Sequence, residues 1–354
     1  MSHLFTPLTL RGTVVRNRAW VTPMCQYSAV DGVPSDWHLV HLGSRATGGA
    51  GLVLTEATAV SPDGRISPAD TGIWTDQQAD AWERITSFVR SQGATAGIQL
   101  AHAGRKASTY PPSGGGGYVD AADGGWQTVA PSPLPFADLP TPKELTGEDL
   151  AGVVTAFTEA AARAAAAGFE VVEVHAAHGY LLHEFLSPLA NERADGYGGD
   201  LAGRARLLLE VVDGIRTVWP DQRPLLVRFS ATDWADGGWT VEETVEVSGW
   251  LAARGVDLID VSSGGLVPHQ RIESGPGYQV PFARAVRRGS GLPVAAVGLI
   301  TEPVQAEQVL VEGSADAILL GRVELRDPYW PLRAAHQLGD AVSWPEQYRR
   351  GAWS

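Results

Sequence analysis

Strand-like and helix-like patterns alternate eight times along this 354-residue chain, and no other feature constrains its fold as tightly. Short apolar or β-branched runs at Asn17–Val21, Gly51–Thr58, Thr95–Leu100, Glu170–Val174, Pro224–Phe229, Leu258–Val261, Val294–Val297 and Ala317–Leu320 read as strands. Helical spacing follows each in turn. It runs from Ser35 or Asp36 through Arg45, over Thr75–Arg90, from Thr146 with Asp149, over Leu201–Val218 and Thr240–Arg254, near Pro281–Arg288, over Glu302–Glu312, and onward from Asp327-Pro328. Parallel strands need helical crossovers, and eight such units close a sheet on itself. The expected architecture is an α/β fold, a (β/α)8 TIM barrel forming a single domain over 1–354. A doubly wound sheet is the rival, but no GxGxxG follows the first strand. A Gly- and Pro-rich excursion, His102–Leu145, breaks the rhythm after strand 3, and a loop of that length is expected to serve function. Its Gly114–Gly117 run is no phosphate loop, because no strand leads into it and no Gly-Lys-Ser/Thr follows.

Composition narrows the function. A net charge of −13 argues against nucleic-acid or anionic-membrane partners, which call for basic clusters. No apolar run is long enough to span a bilayer, and MSHLFTPLTLRG lacks a signal pattern, so a cytoplasmic address is expected. The single Cys25 excludes an internal disulfide and a cysteine-ligated cluster within one chain. Lys106 and Lys143 are the only lysines, and only Lys106 follows a candidate strand, which makes Schiff-base chemistry a poor fit.

The fourth strand carries the densest chemistry. In EVVEVHAAHGYLL, His175, His178 and Tyr180 arrive where the strand stops, two imidazoles and a phenol that can grip a substrate oxygen and pass on a proton. A metal reading of His175-x-x-His178 needs a third ligand, with Glu173 or His183 as candidates, and it lacks the helical i, i+4 geometry, so no metal is expected. Glu173 alternates inward and can orient an imidazole. His38 and His41 lie on the first helix and read as packing or capping residues. Barrel active sites lie at the carboxyl ends of strands, and a phosphate is often bound after strands seven and eight. Gly298 and Gly321-Arg322 fall there, offering close backbone approach and a guanidinium, which suggests a phosphorylated ligand or cofactor.

The segments TPMCQYSA, DWHLVHLGSRATGGAGLVLTEATAV, GIQLAHAGRKAS, EVHAAHGYLLHEFLSPLANERADGYGGDLAGRARLLLEVV and QYRRGAW together resemble the Old Yellow Enzyme family of flavin ene-reductases, most closely its thermophilic-like subclass. The match runs in order over nearly the whole chain. It implies an FMN-containing barrel, reduced by NADPH or NADH and reoxidised by an activated alkene. On this resemblance Thr22, Pro23, Met24, Cys25, Ala59 and Gln99 line the flavin ring, and Arg228 sits at its N1/C2=O edge. Gly298, Gly321 and Arg322 hold the phosphate. His175 and His178 bind the carbonyl or nitro oxygen of an enone or nitroalkene, and Tyr180 protonates the α-carbon. Tyr27 borders the substrate. His178 stands where many members carry Asn, and since only His titrates, a pH effect on substrate binding is expected. Cys25 is expected to tune the flavin and contact substrate, not to act as a nucleophile. Arg350, in a C-terminal tail over 340–354, matches an arginine that reaches into a neighbouring subunit, which implies a homodimer or homotetramer. The alternatives are another flavin barrel with an added cluster, a phosphate-binding isomerase or aldolase, or a barrel that only binds ligand.

Overall fold

The computed structural model describes residues 1–353 and closes eight parallel strands into a barrel. The strands are β1 (Ala19–Val21), β2 (Leu52–Ala59), β3 (Thr95–Ala101), β4 (Val171–Ala176), β5 (Leu225–Ser230), β6 (Leu258–Ser262), β7 (Val294–Ala296) and β8 (Ala317–Leu320). They follow one another around the ring in chain order, and β8 pairs with β1 to close it, with Leu320 opposite Val21. Eight helices cover the outside: α1 (Asp36–Thr47), α2 (Asp76–Ser91), α3 (Gly147–Ala166), α4 (Leu201–Val218), α5 (Val241–Ala252), α6 (Val280–Ser290), α7 (Pro303–Val311) and α8 (Trp330–Leu338). Reciprocal capping boxes start four of them, at Ser35/His38, Thr75/Gln78, Thr146/Asp149 and Thr240/Glu243.

Alternation along each strand divides the side chains between two cores. Ile259 and Val261 of β6, like Val172 and Val174 of β4, face outward and pack beneath the helices, meeting Leu150, Phe157 and Ala164 of α3 and their counterparts. Leu258, Leu226, Val171, Leu54 and Trp20 face inward and fill the barrel floor. A hairpin, Leu8–Leu10 with Thr13–Val15, plugs that end by adding Leu10 and Val15 to the same cluster.

The excursion after β3 is partly ordered, with a two-residue parallel pair at Val129–Ala130 and Lys143–Glu144. Arg193 Nη1 pins it by donating to the carbonyls of Pro131 and Leu145, at 3.0 and 2.7 Å. Trp126 ties it to the loop after β2, donating from Nε1 to Asp63 O at 2.8 Å. At the other end of the barrel, the segment after α8 forms a short turn, Glu346–Gly351, beside the carboxyl ends of α1 and α2. There Trp353 stacks on His336 with ring centroids 5.4 Å apart.

Candidate active site

Inward parity on β4 sends Glu173 and then His175 into the barrel, and the chain reverses beyond Ala176. The reversal is tight. His178 takes φ +59° and Gly179 φ +74°, while the loop after β6 passes against them backbone to backbone. A Cβ on Gly265 would lie 2.6 Å from His178 Cα, and one on Gly179 would lie 2.2 Å from Gly265 O, so both positions require glycine. Lys106 fastens the crossing, donating from Nζ to His178 O and Gly265 O, each at 2.9 Å.

This brings the three rings of the fourth strand end onto one wall of the barrel mouth. His175 lies edge-on to His178 and to Tyr180, each at 5.1 Å between centroids. His178 Nε2 hydrogen-bonds Ser262 Oγ at 2.7 Å, and its backbone N–H donates to Ser230 Oγ at 2.9 Å. His175 Nδ1 is buried without a hydrogen-bond partner among the described residues. Burial, reinforced by the positive charge of Arg228, pushes both imidazoles well below their ordinary pKa. Each is therefore neutral near pH 7, with one N–H and one lone pair, and the expected pH effect through His178 does not arise in that range. Burial also pushes the Tyr180 phenol well above its ordinary value, so it keeps its proton.

Below the rings lies a charged layer. Arg228 of β5 places Nε 3.0 Å from Asp260 Oδ2 and donates from Nη1 to Thr22 Oγ1 at 3.0 Å. Gln99 of β3 donates to Glu173 Oε1 at 2.8 Å. Glu173 thus faces Gln99 and Asp260, and orients no imidazole as the sequence suggested. Thr22, Pro23, Met24 and Cys25 run out of β1 across this layer, and Ala59 ends β2 beside it. Glu56 of β2 holds that run. It accepts from the Gln26 N–H on one oxygen and lies 3.1 Å from His38 Nε2 on the other. His38 is a capping residue as expected, and also this strut. Burial, then the charges of Asp70 and Glu56, push the Cys25 thiol up, which fits a neutral contact surface and not a thiolate nucleophile. Tyr27 takes φ +52° and is half-buried at the rim.

Across the mouth, the turns after β7 and β8 enclose a cavity of about 160 Å³ lined by Gly298, Leu299, Gly321, Arg322, Ser262 and Gln279. The backbone N–H groups of Gly298, Gly321 and Arg322 find no acceptor among the described residues, and the exposed Arg322 guanidinium has no ion-pair partner among them. Amide donors and a cation without partners, around a cavity of this size, fit a phosphate. Gly321 lies near the β1 run, since a Cβ there would sit 3.3 Å from Thr22 Cγ2 and 4.0 Å from Met24 Sδ. The cavity after β7 and β8 and the Arg228 layer therefore both border the Thr22–Met24 run, and the residues present fit FMN. Arg350 lies elsewhere, exposed on the turn at the opposite end of its own barrel.

Several participants were not singled out from sequence. Asp260, Gln279 and Glu56 belong to strands or turns whose apolar neighbours drew attention away from them, although an acidic residue inside a strand buried on both faces is itself a signal. Lys106 was weighed only as a nucleophile, whereas it braces the His178 loop.

The comparisons agree with this geometry. Residues 3–341 match the model of the NADH:flavin oxidoreductase / NADH oxidase family. The chain is 48% identical over 351 residues to the NADPH dehydrogenase of Geobacillus thermodenitrificans, covering 98% of each. Morphinone reductase in complex with tetrahydroNAD superposes with a TM-score of 0.79 at 30% identity, over 97% of this chain and 92% of that one. 2-Naphthoyl-CoA reductase superposes with a TM-score of 0.85 at 26% identity, but this chain spans only 52% of its length. With this family match and these relatives the protein is an oxidoreductase that uses FMN and NAD(P)H, and the chain belongs to the NADH:flavin oxidoreductase / NADH oxidase family.

Proposed function

We propose that this enzyme reduces the C=C bond of α,β-unsaturated carbonyl or nitro compounds. The observation that carries the reading is the wall of His175, His178 and Tyr180, with rings 5.1 Å apart, facing the same mouth as Arg228 and Arg322. FMN, when bound, supplies a hydride to the β-carbon after receiving one from NAD(P)H. Thr22–Cys25, Ala59 and Gln99 would line its ring, Gly298, Gly321 and Arg322 its phosphate, and Arg228 the edge where negative charge grows.

The neutral imidazoles of His175 and His178 donate N–H bonds to the substrate oxygen and take up enolate charge as it forms. Donation from His178 requires the ring nitrogen not shared with Ser262, or a Ser262 hydroxyl that turns away. Tyr180, protonated and on the same wall, passes its proton to the α-carbon. Tyr27 and Cys25 close the rim. Tetrahydronicotinamide bound to morphinone reductase supports a nicotinamide visiting the same mouth. Arg350, exposed on the C-terminal turn and with no ion-pair partner among the described residues, supports a role across a subunit boundary in a homodimer or homotetramer.

Replacing Tyr180 by Phe tests the assignment. Stopped-flow traces should show alkene reduction slowed about 10²- to 10⁴-fold with flavin reduction by NADPH nearly unchanged. Equal loss in both half-reactions removes Tyr180 as the proton donor.

A further inference from the structure

The charged layer under the mouth contains more acid than its one arginine can balance. Glu173 and Asp260 are both fully buried, and Arg228 is 5% exposed. Their carboxyl groups lie within hydrogen-bonding reach of each other. Yet among the described residues no donor gives a hydrogen bond to Glu173 Oε2 or to either oxygen of Asp260, and the Arg228 Nε contact to Asp260 is a charge contact without an aligned N–H. Two acceptor oxygens facing one another in a site closed to water repel unless a proton lies between them.

The groups around the pair are few. Arg228 faces it from β5 and Gln99 from β3, while His175, held neutral, follows on the same strand. β7 and β8 present Ala295, Ala317 and Leu319 to the interior. Among the described residues Arg228 is thus the one cation that acts on both acids, in contact with Asp260 and through its charge on Glu173. With one shared proton the trio has zero net charge, and without it the trio carries −1.

We propose that Glu173 and Asp260 share one proton behind Arg228 and so set the charge that the protein presents to the flavin edge. They are positioning residues, acting through Arg228 and not touching substrate. The proposal rests on the flavin reading above and adds an element to it: the layer below the ring is a titrating acid pair. Burial pushes both acids up from their ordinary values against the pull of Arg228, and the charge of Asp260 pushes Glu173 up further, which agrees with a retained proton. A flavin held over this layer would take two electrons and one proton as hydride from NAD(P)H, which leaves as NAD(P)⁺, and Arg228 would meet the single negative charge gained. Losing the shared proton makes the layer more negative, opposes that added charge, and lowers the midpoint potential.

Two measurements test this. The first uses protein stripped of cofactor, so it does not depend on the flavin reading. Wild type minus Glu173→Gln infrared spectra near pH 6.5 should show a protonated-carboxyl C=O band that shifts in D₂O. In the variant a single carboxylate remains for Arg228 and the band is lost. Absence of a difference band overturns the proposal. The second is potentiometric titration of the holoenzyme across pH. Wild type should show an extra steepening above neutrality, both Glu173→Gln and Asp260→Asn should lose it, and the double variant, leaving Arg228 uncompensated, should shift to more positive potential. Unchanged pH curves in both single variants also overturn it. A chain that folds, shows the band and binds no FMN would instead count against the flavin reading alone.

Discussion

The barrel interior has two storeys built by the same strand alternation, and they behave oppositely. The lower storey, with Trp20, Leu54, Val171, Leu226 and Leu258, is apolar and plugged by a hairpin. Two residues further along β4, β5 and β6, Glu173, Arg228 and Asp260, joined by Gln99 of β3, fill the same enclosed space with amides and charges. Apolar packing stabilises the lower storey directly, at about 25 cal/mol per Å² buried. The upper storey gains nothing comparable, because charges removed from water recover their solvation only through one another. Its composition makes sense for a layer facing a bound redox group, and poor sense as a core.

Four changes would break or sharpen that contrast. Arg228→Met strands two acids in the upper storey and should cost about 3–5 kcal/mol of stability by denaturant titration, with weakened FMN retention. The loss should be smaller at pH 5 than at pH 8, because the acids can then protonate. If Arg228→Met were as stable as wild type and kept its flavin, the upper storey would be no charge-balanced layer. Leu226→Ala in the lower storey should cost about 2–5 kcal/mol through its cavity while leaving both half-reaction rates per bound flavin intact.

The third change concerns pH. Burial raises Glu184, beside Arg105 behind the mouth, to about 8 from 4.5, so the folded chain holds a proton that the unfolded chain has released. That contribution is complete below pH 4.5 and is lost as pH rises to about 8. Glu184→Gln keeps an acceptor for the Arg105 N–H but cannot titrate, so its unfolding free energy should fall less than that of wild type between pH 5 and 8. Equal slopes would mean that Glu184 titrates normally. The smallest effect on folding should come from ending the chain after Gln347, which removes exposed residues. Activity should nonetheless drop if Arg350 serves a neighbouring subunit, and unchanged steady-state rates would leave the tail without that role.

Much of this was legible in the chain. Strand and helix positions follow from apolar period and caps, because those are local properties of a few consecutive residues. Thr146 with Asp149 signals the start of α3, and the box is present. The three rings at the fourth strand end were visible because they lie within six positions of one another. The acid pair was not, since Glu173 and Asp260 lie on β4 and β6 with β5 and the helices α4 and α5 between them in the chain, and each alone looks like an isolated charge in an apolar run. His178 was misjudged for the same reason: its pKa depends on burial and on Arg228, neither of which its neighbours in sequence reveal.

The sequence by itself determined the eight-fold alternation, the inward parity of Glu173 and His175, and the glycines of the turns after β7 and β8, all set by local backbone geometry. Only the tertiary structure decided which charges meet. Closing the ring sets Thr22 beside Gly321 and Asp260 beside Arg228, and it excludes water from the space between them. In that space an ionisable group answers to its neighbours across the barrel more than to its own chemistry, because the low local polarity leaves nothing else to solvate it.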